Sequence, residues 1–242
     1  MAGGTGGIAT GRADLVIFDN DGVLVDSELL SNRVLAELLT ESGQPTTLQE
    51  SISRYMGGTL SFVRHEVRER TGHELPAAFE SSFEERLYRA FDEELEPVPG
   101  VKAVIASLTV PFCVASSGSV ERIVRALDKT ELLPFFGSHI YSADHVARGK
   151  PAPDVFWHAA SAMSVPPSRA IVVEDSPNGV RAARAAGMVV LGYTAFTPRD
   201  RLAEADALFS AMEELPDLLA LPLETWRAGS SDRIRGDRIR DT

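Results

Sequence analysis

Four short runs of the chain are apolar without alternation: LVIFD at 15–19, PFCVAS at 111–116, AIVVED at 170–175 and VVLGY at 189–193. Rich in β-branched residues and continuous in hydrophobicity, they read as strands covered on both faces. Between the later runs the hydrophobic spacing becomes helical. Residues 101–108 precede the second run, 120–132 follow it and 154–163 precede the third. Residues 177–187 join the third run to the fourth, with Ser176 as N-cap, Pro177 at the first helical position and Gly187 just past the end. Such alternation predicts an α/β fold, a Rossmann-like doubly wound parallel sheet.

The stretch 29–95 breaks this rhythm. LLSNRVLAELLTESG and FVRHEVRERTG carry helical patterns, no strand-like run intervenes, and the chain returns through LEPVPG. The economical expectation is a small α-helical cap at 29–95, inserted into a core formed by 14–28 and 96–222. Its connections, near 22–27 and 96–100, are expected hinges that let the cap close over the carboxyl ends of the strands. Residues 1–13 are glycine-rich where a signal peptide needs an apolar centre, and 223–242 end in SSDRIRGDRIRDT. Both are read as flexible or disordered tails.

Charge narrows the partners. Across 242 residues the net charge is -11, which argues against nucleic acid, and no run reaches membrane-spanning length. Cys113 is the only cysteine, so no internal disulfide forms and a reducing cytoplasm is the simplest setting. An acidic chain can still bind a small phosphate if a metal ion or a local cation reverses the field.

Open α/β sheets bind ligands beyond the carboxyl ends of their strands. Asp19 and Asp21 follow the first run, Ser116 ends the second, and Glu174 and Asp175 end the third. Carboxylates that converge from separate strands repel one another unless a cation sits among them, and a hard cation such as Mg2+ takes oxygen ligands.

FDNDGVLVDSE, VASSGS, GKPAPDVF and IVVEDSPNGVRAARAAGM, in that order, resemble the four motifs of the haloacid dehalogenase superfamily, in its phosphotransferase branch with a helical cap. The resemblance runs from about 14 to 192 and implies, as partner, a small phosphorylated metabolite handled by a monomer or weak homodimer. It implies that Asp19 is the nucleophile forming an aspartyl-phosphate and that Asp21 protonates the leaving alkoxide, then activates water. It further implies that Asp19, the Asp21 carbonyl and Asp175 hold Mg2+, with Glu174 a direct ligand or one step back. Ser116 is to donate to a phosphoryl oxygen, aided by backbone amides at Ser117, Gly118 and Asn20. Lys150, one of only three lysines, is to stand beside Asp19 and the transferring phosphoryl group.

An acid at position 21 disfavours dehalogenation, and the absence of lysine from 29–95 disfavours phosphonate cleavage through a Schiff base. Hexose-phosphate mutases of the β-phosphoglucomutase type carry a cap histidine at the position of Ser31. Hydrolysis is therefore favoured over the mutase alternative, and over a non-catalytic sugar-phosphate-binding protein, for which degenerate motifs would be expected. FDEELEPVPG adds a resemblance to bacterial phosphatases acting on 6-phosphogluconate and related sugar phosphates. Gly57, Gly58 and Thr59 resemble the cap loop that enters the active site, and nearby Arg54 is placed to meet a substrate carboxylate or hydroxyl.

Overall fold

The computed structural model describes residues 11–227. Its centre is a six-stranded sheet in the order β3-β2-β1-β4-β5-β6, formed by β1 (Leu15–Phe18), β2 (Phe112–Ser116), β3 (Ile140–Ser142), β4 (Ala170–Glu174), β5 (Val189–Tyr193) and β6 (Ala207–Phe209). Every neighbouring pair is parallel. β1 lies between β2 and β4, so Phe18 is level with Val114 on one side and Val173 on the other. Two short strands were not expected from the apolar pattern: three-residue β3 and β6 are too brief to display a period.

Side chains of β1 alternate between two apolar layers, as strand geometry requires. Val16 and Phe18 join one cluster with Val114, Ile123 and Phe136; Leu15 and Ile17 join another with Ala115, Phe156 and Val172. All four β1 side chains are fully buried, each contributing about 1.5–3 kcal/mol relative to exposure. The layers are made by α5 (Val101–Ser107) and α6 (Val120–Lys129), followed by α7 (Leu133–Phe136), and by α8 (Asp154–Ala162) and α9 (Pro177–Ala185). Helical residues end earlier than the expected 132, because Glu131 turns the chain with φ 59.

Between β1 and α5 the chain forms α1 (Glu28–Glu41), α2 (Leu48–Tyr55), α3 (Leu60–Thr71) and α4 (Phe79–Glu94). α1 packs against α2 and α4, and the four helices bury Leu39, Val67, Phe79 and Leu87. These helices also rest on the core. Arg125 of α6 donates to both carboxylate oxygens of Asp92, the Arg122 guanidinium lies 5.6 Å from the centre of the Phe91 ring, and Arg201 donates to the Met56 carbonyl at 3.4 Å. The two connections meet: Val25 bridges Pro97, and Asp26 donates its amide to the Glu96 carbonyl at 2.9 Å.

The expected tail boundaries need correction. After α10 (Leu215–Ala220), α11 (Leu223–Arg227) buries Leu223 and Trp226 in the core. Its Leu223 amide donates to Gly11 O at 2.9 Å, and Gly11 N donates to Glu224 at 3.1 Å. Residues 11–13 and 223–227 are thus part of the folded body; the rest of both expected tails lies outside the described residues. No described helix is long and apolar enough to cross a membrane.

Candidate active site

At the carboxyl edge of the sheet, β1 delivers Asp19, β2 delivers Ser116, and β4 delivers Glu174 and Asp175. All four are buried. The loop after β1 closes on itself, Leu24 and Val25 amides both donating to the Asn20 carbonyl, and this turn presents Asp21 beside Asp19. Gly22 makes the turn possible with φ 75; a Cβ there would fall 2.1 Å from an Asp175 carboxylate oxygen.

Lys150 reaches into this cluster from the loop before α8. Its Nζ donates to Asp19 Oδ1 and Glu174 Oε1 at 2.7 Å each and to the Ala115 carbonyl at 3.1 Å, while it stands 4.8 Å from the centre of the Phe156 ring. Glu174 is held on its other oxygen by the Ser176 amide at 2.7 Å. Ser176 caps α9 by accepting from the Gly179 amide at 3.0 Å. Gly179 has no room for a side chain: a Cβ would meet Glu174 Oε1 at 1.6 Å. The start of α9 is thereby pressed onto the carboxylate, where the positive end of the helix dipole stabilises it.

One ammonium faces three carboxylates here, and the electrostatics record the deficit. Burial, opposed by Lys150 and reinforced by Glu174 and Asp21, pushes the Asp19 carboxyl up to about 7. Burial, then the charges of Glu174, Glu28 and Asp19, holds Asp175 well above the usual carboxylate range. Asp19, Glu174 and Asp175 can each offer an oxygen within 4.8 Å of the others. An all-oxygen, electron-rich set of this kind fits a hard divalent cation.

A pH dependence follows for the metal-free protein. A carboxyl whose pKa is raised by folding stabilises the fold when protonated; that contribution is complete below 3.8 and is lost as pH rises through about 7. In EDTA the melting temperature should therefore fall between about pH 6 and about pH 8, and saturating Mg2+ should flatten the slope by supplying the missing charge. A melting temperature that rises over this interval in EDTA would contradict the charge deficit.

Asp21 behaves differently. Although burial opposes it, Arg122 and Ser27 hold its carboxyl below the usual range; Arg122 Nη2 and Ser27 Oγ both donate to Asp21 Oδ1 at 2.7 Å. Arg122 did not emerge from the sequence, where it is one of two arginines in a charged helical stretch. Its place is set by Ser119, whose hydroxyl accepts from the Arg122 amide at 3.3 Å and so starts α6 with Arg122 in the first turn. Glu28, at the start of α1, is the second residue that sequence reasoning did not single out. It lines the same cavity, and burial with the nearby Asp21 charge pushes it up to about 7.

The cavity above the cluster measures about 330 Å3 and is lined by both core and cap. Asp19, Asp21, Ser116, Ser117, Gly118, Lys150, Glu174 and Asp175 meet there with Gly57, Gly58 and Thr59 from the loop after α2. Thr59 also caps α3, accepting from the Phe62 amide at 3.2 Å. Ser116 Oγ accepts from the Gly118 amide at 3.1 Å, which leaves its hydroxyl proton to donate. Two expected residues are not among the lining groups. Asn20 is buried beneath the turn, and Arg54 projects from α2 toward Glu50, 3.9 Å away, with 40% of its side chain exposed. Arg54 lies one helical turn before the loop, and the helix directs it elsewhere.

A family model described as haloacid dehalogenase-like hydrolase matches residues 13–187. The 6-phosphogluconate phosphatase of Escherichia coli K12 is 30% identical over 227 residues, covering 91% of this chain and 98% of its own. Hexitol phosphatase A from the same strain is 28% identical and covers 82% and 91%. The solved structure of a haloacid dehalogenase-like protein of unknown function from Agrobacterium tumefaciens aligns with a TM-score of 0.80 at 39% identity, over 86% of this chain and 98% of that one.

Proposed function

Since the chain belongs to the haloacid dehalogenase-like hydrolases and is a phosphatase of that family, we propose that it hydrolyses a small sugar-type phosphomonoester through an aspartyl-phosphate on Asp19, with Mg2+ as cofactor. The observation that carries this reading is the buried cluster of Asp19, Glu174 and Asp175, answered by a single ammonium at Lys150. Phosphatase relatives act on small phosphorylated polyols and sugar acids by their names, and a cavity of about 330 Å3 suits compounds of that size.

In the proposed cycle Asp19 Oδ1 stays fixed by Lys150 while the other oxygen attacks phosphorus, forming the Asp19 O–P bond as the ester P–O bond breaks. Asp21 begins as a carboxylate positioned by Arg122 and Ser27. The arriving phosphoryl charge raises its proton affinity, so it takes up a proton from solvent and passes that proton to the leaving alkoxide. Asp21 then takes a proton from the water that cleaves the acyl-phosphate. The Ser116 hydroxyl is free to donate to a phosphoryl oxygen, while Lys150, its three donors taken by Asp19, Glu174 and the Ala115 carbonyl, supplies positive charge beside it. Asp19, Asp175 and the Asp21 carbonyl would hold the Mg2+, which when bound neutralises charge between the nucleophile and the phosphate. Both Glu174 oxygens are already engaged, by Lys150 and by the Ser176 amide, which supports the role of orienting Lys150 from one step behind the metal. Ser31 lines the cavity without an imidazole, which supports water over a sugar hydroxyl as acceptor.

The test is phosphate release from sugar, polyol and sugar-acid phosphates, glycolate phosphate and nucleotides, in Mg2+ and in EDTA. Release concentrated on the sugar and polyol compounds and suppressed by EDTA is expected. Release indifferent to EDTA would remove the metal from the scheme, and release from none of them by folded protein would remove the phosphatase.

A further inference from the structure

Charges around the cavity are distributed unevenly. Six carboxylates line it, Asp19, Asp21, Glu28, Glu84, Glu174 and Asp175, against two cations, Arg122 and Lys150. Both cations belong to the core side and are engaged there, Arg122 with Asp21 and Lys150 with Asp19 and Glu174, each contact at 2.7 Å. The cap wall carries the opposite sign. Glu28, at the start of α1, and exposed Glu84, on α4, line it together with the neutral polar groups of Ser31, Asn32 and Tyr55.

Nearby arginines do not correct this. Arg54 turns to Glu50, while Arg64 is held by Glu80 at 3.1 Å and by the Leu75 and Pro76 carbonyls at 2.8 and 3.0 Å. The loop that enters the cavity, MGGTL at 56–60, carries no charge. Asn32 is rigidly placed, donating to the Glu28 carbonyl at 2.9 Å and accepting from buried Ser51 at 2.9 Å. The Tyr55 hydroxyl is buried without a partner among the described residues.

We propose that this site selects a phosphomonoester whose remote end is uncharged and hydroxylated, a polyol or neutral sugar phosphate, and that the cap rejects a second anionic group there. The proposal rests on the phosphatase reading above. The transferring phosphate would meet the metal beside Lys150, whereas a carboxylate or second phosphate at the far end meets the Glu84 side of the cap, where no lining residue is cationic. Like charges brought face to face discriminate between ligands of the same shape. The consequence is a departure from the relative whose name specifies a sugar acid.

Glucitol 6-phosphate and gluconate 6-phosphate differ at one end only, a hydroxymethyl group against a carboxylate, and form the diagnostic pair. In Mg2+, kcat/KM for the polyol should exceed that for the acid by about tenfold or more. Glu84→Lys, at an exposed position that threatens no packing, should narrow the ratio at least about threefold by placing a cation on that side of the cap. Equal use of the two compounds, or preference for the acid, overturns the proposal and leaves the phosphatase intact. A ratio that Glu84→Lys does not move overturns the assignment to the Glu84 side of the cap. Release from neither compound nor any other phosphomonoester overturns the phosphatase reading, and the proposal falls with it.

Discussion

Asp19→Asn is expected to lower phosphate release by about 10⁴-fold or more while the protein melts within a few degrees of the parent in metal-free buffer. The two parts of this result have separate causes. Asparagine matches aspartate in shape but cannot displace an alkoxide from phosphorus, so the covalent route closes. Stability survives because the parent carboxylate is itself costly: burial and the neighbouring carboxylates push Asp19 up to about 7. Lys150 also keeps Glu174 and the Ala115 carbonyl as partners after Asp19 is neutralised. Phosphate release and thermal melts on the same preparation decide the matter. A folded variant that retains a tenth of the parent rate would exclude Asp19 as nucleophile.

Lys150→Met should fail in both respects. The Lys150 side chain is 4% exposed and bonded to two carboxylates, and removing one partner of a buried ionic set costs about 3–5 kcal/mol. For a chain of this size that is a fall of roughly 6–20 °C in melting temperature. The loss should be largest in EDTA at about pH 8 and smaller at about pH 6. With the ammonium gone, the carboxyl pKa values rise further, so protonation restores stability on the acidic side of those values and the benefit disappears as pH rises. Turnover should fall by about 10²–10³-fold, because the phosphoryl group loses a preorganised cation. Melts recorded at both pH values test this; a Lys150→Met profile that overlays the parent would mean that Lys150 does not carry the charge balance.

The strands that position the chemistry were legible in sequence because they are buried on both faces and therefore apolar throughout. β1, β2, β4 and β5 all announce themselves in this way, and Asp19, Ser116, Glu174 and Asp175 sit at their ends. Edge strands β3 and β6 lack that signal, having three residues each. α11 was hidden by its position beside a charged, repetitive terminus, although Trp226 is an unusual residue to leave in a tail. Within the site, strand ends and tight turns fix side chains closely, so their place directly after β1 put Asp19 and Asp21 at the sheet edge, while their roles came from the resemblance. Helical residues depend on azimuth and capping. Arg122 enters because Ser119 starts its helix, and Arg54 leaves because its turn of α2 faces away; neither direction can be read from residue type.

Placing β1 at the sheet centre also has a consequence for how the molecule is made. The strand that carries Asp19 pairs with β2, nearly a hundred residues later, and with β4, more than one hundred and fifty residues later. Such non-local pairing must absorb loop-closure entropy before any contact repays it, and topologies of this kind fold slowly. During synthesis LVIF emerges first and has neither partner until most of the chain has followed. Catalytic competence is therefore a property of the finished sheet: a chain truncated before β4 lacks a flanking strand for β1 as well as Glu174 and Asp175, and the onset of turnover in a refolding or translation reaction would report completion of the whole core.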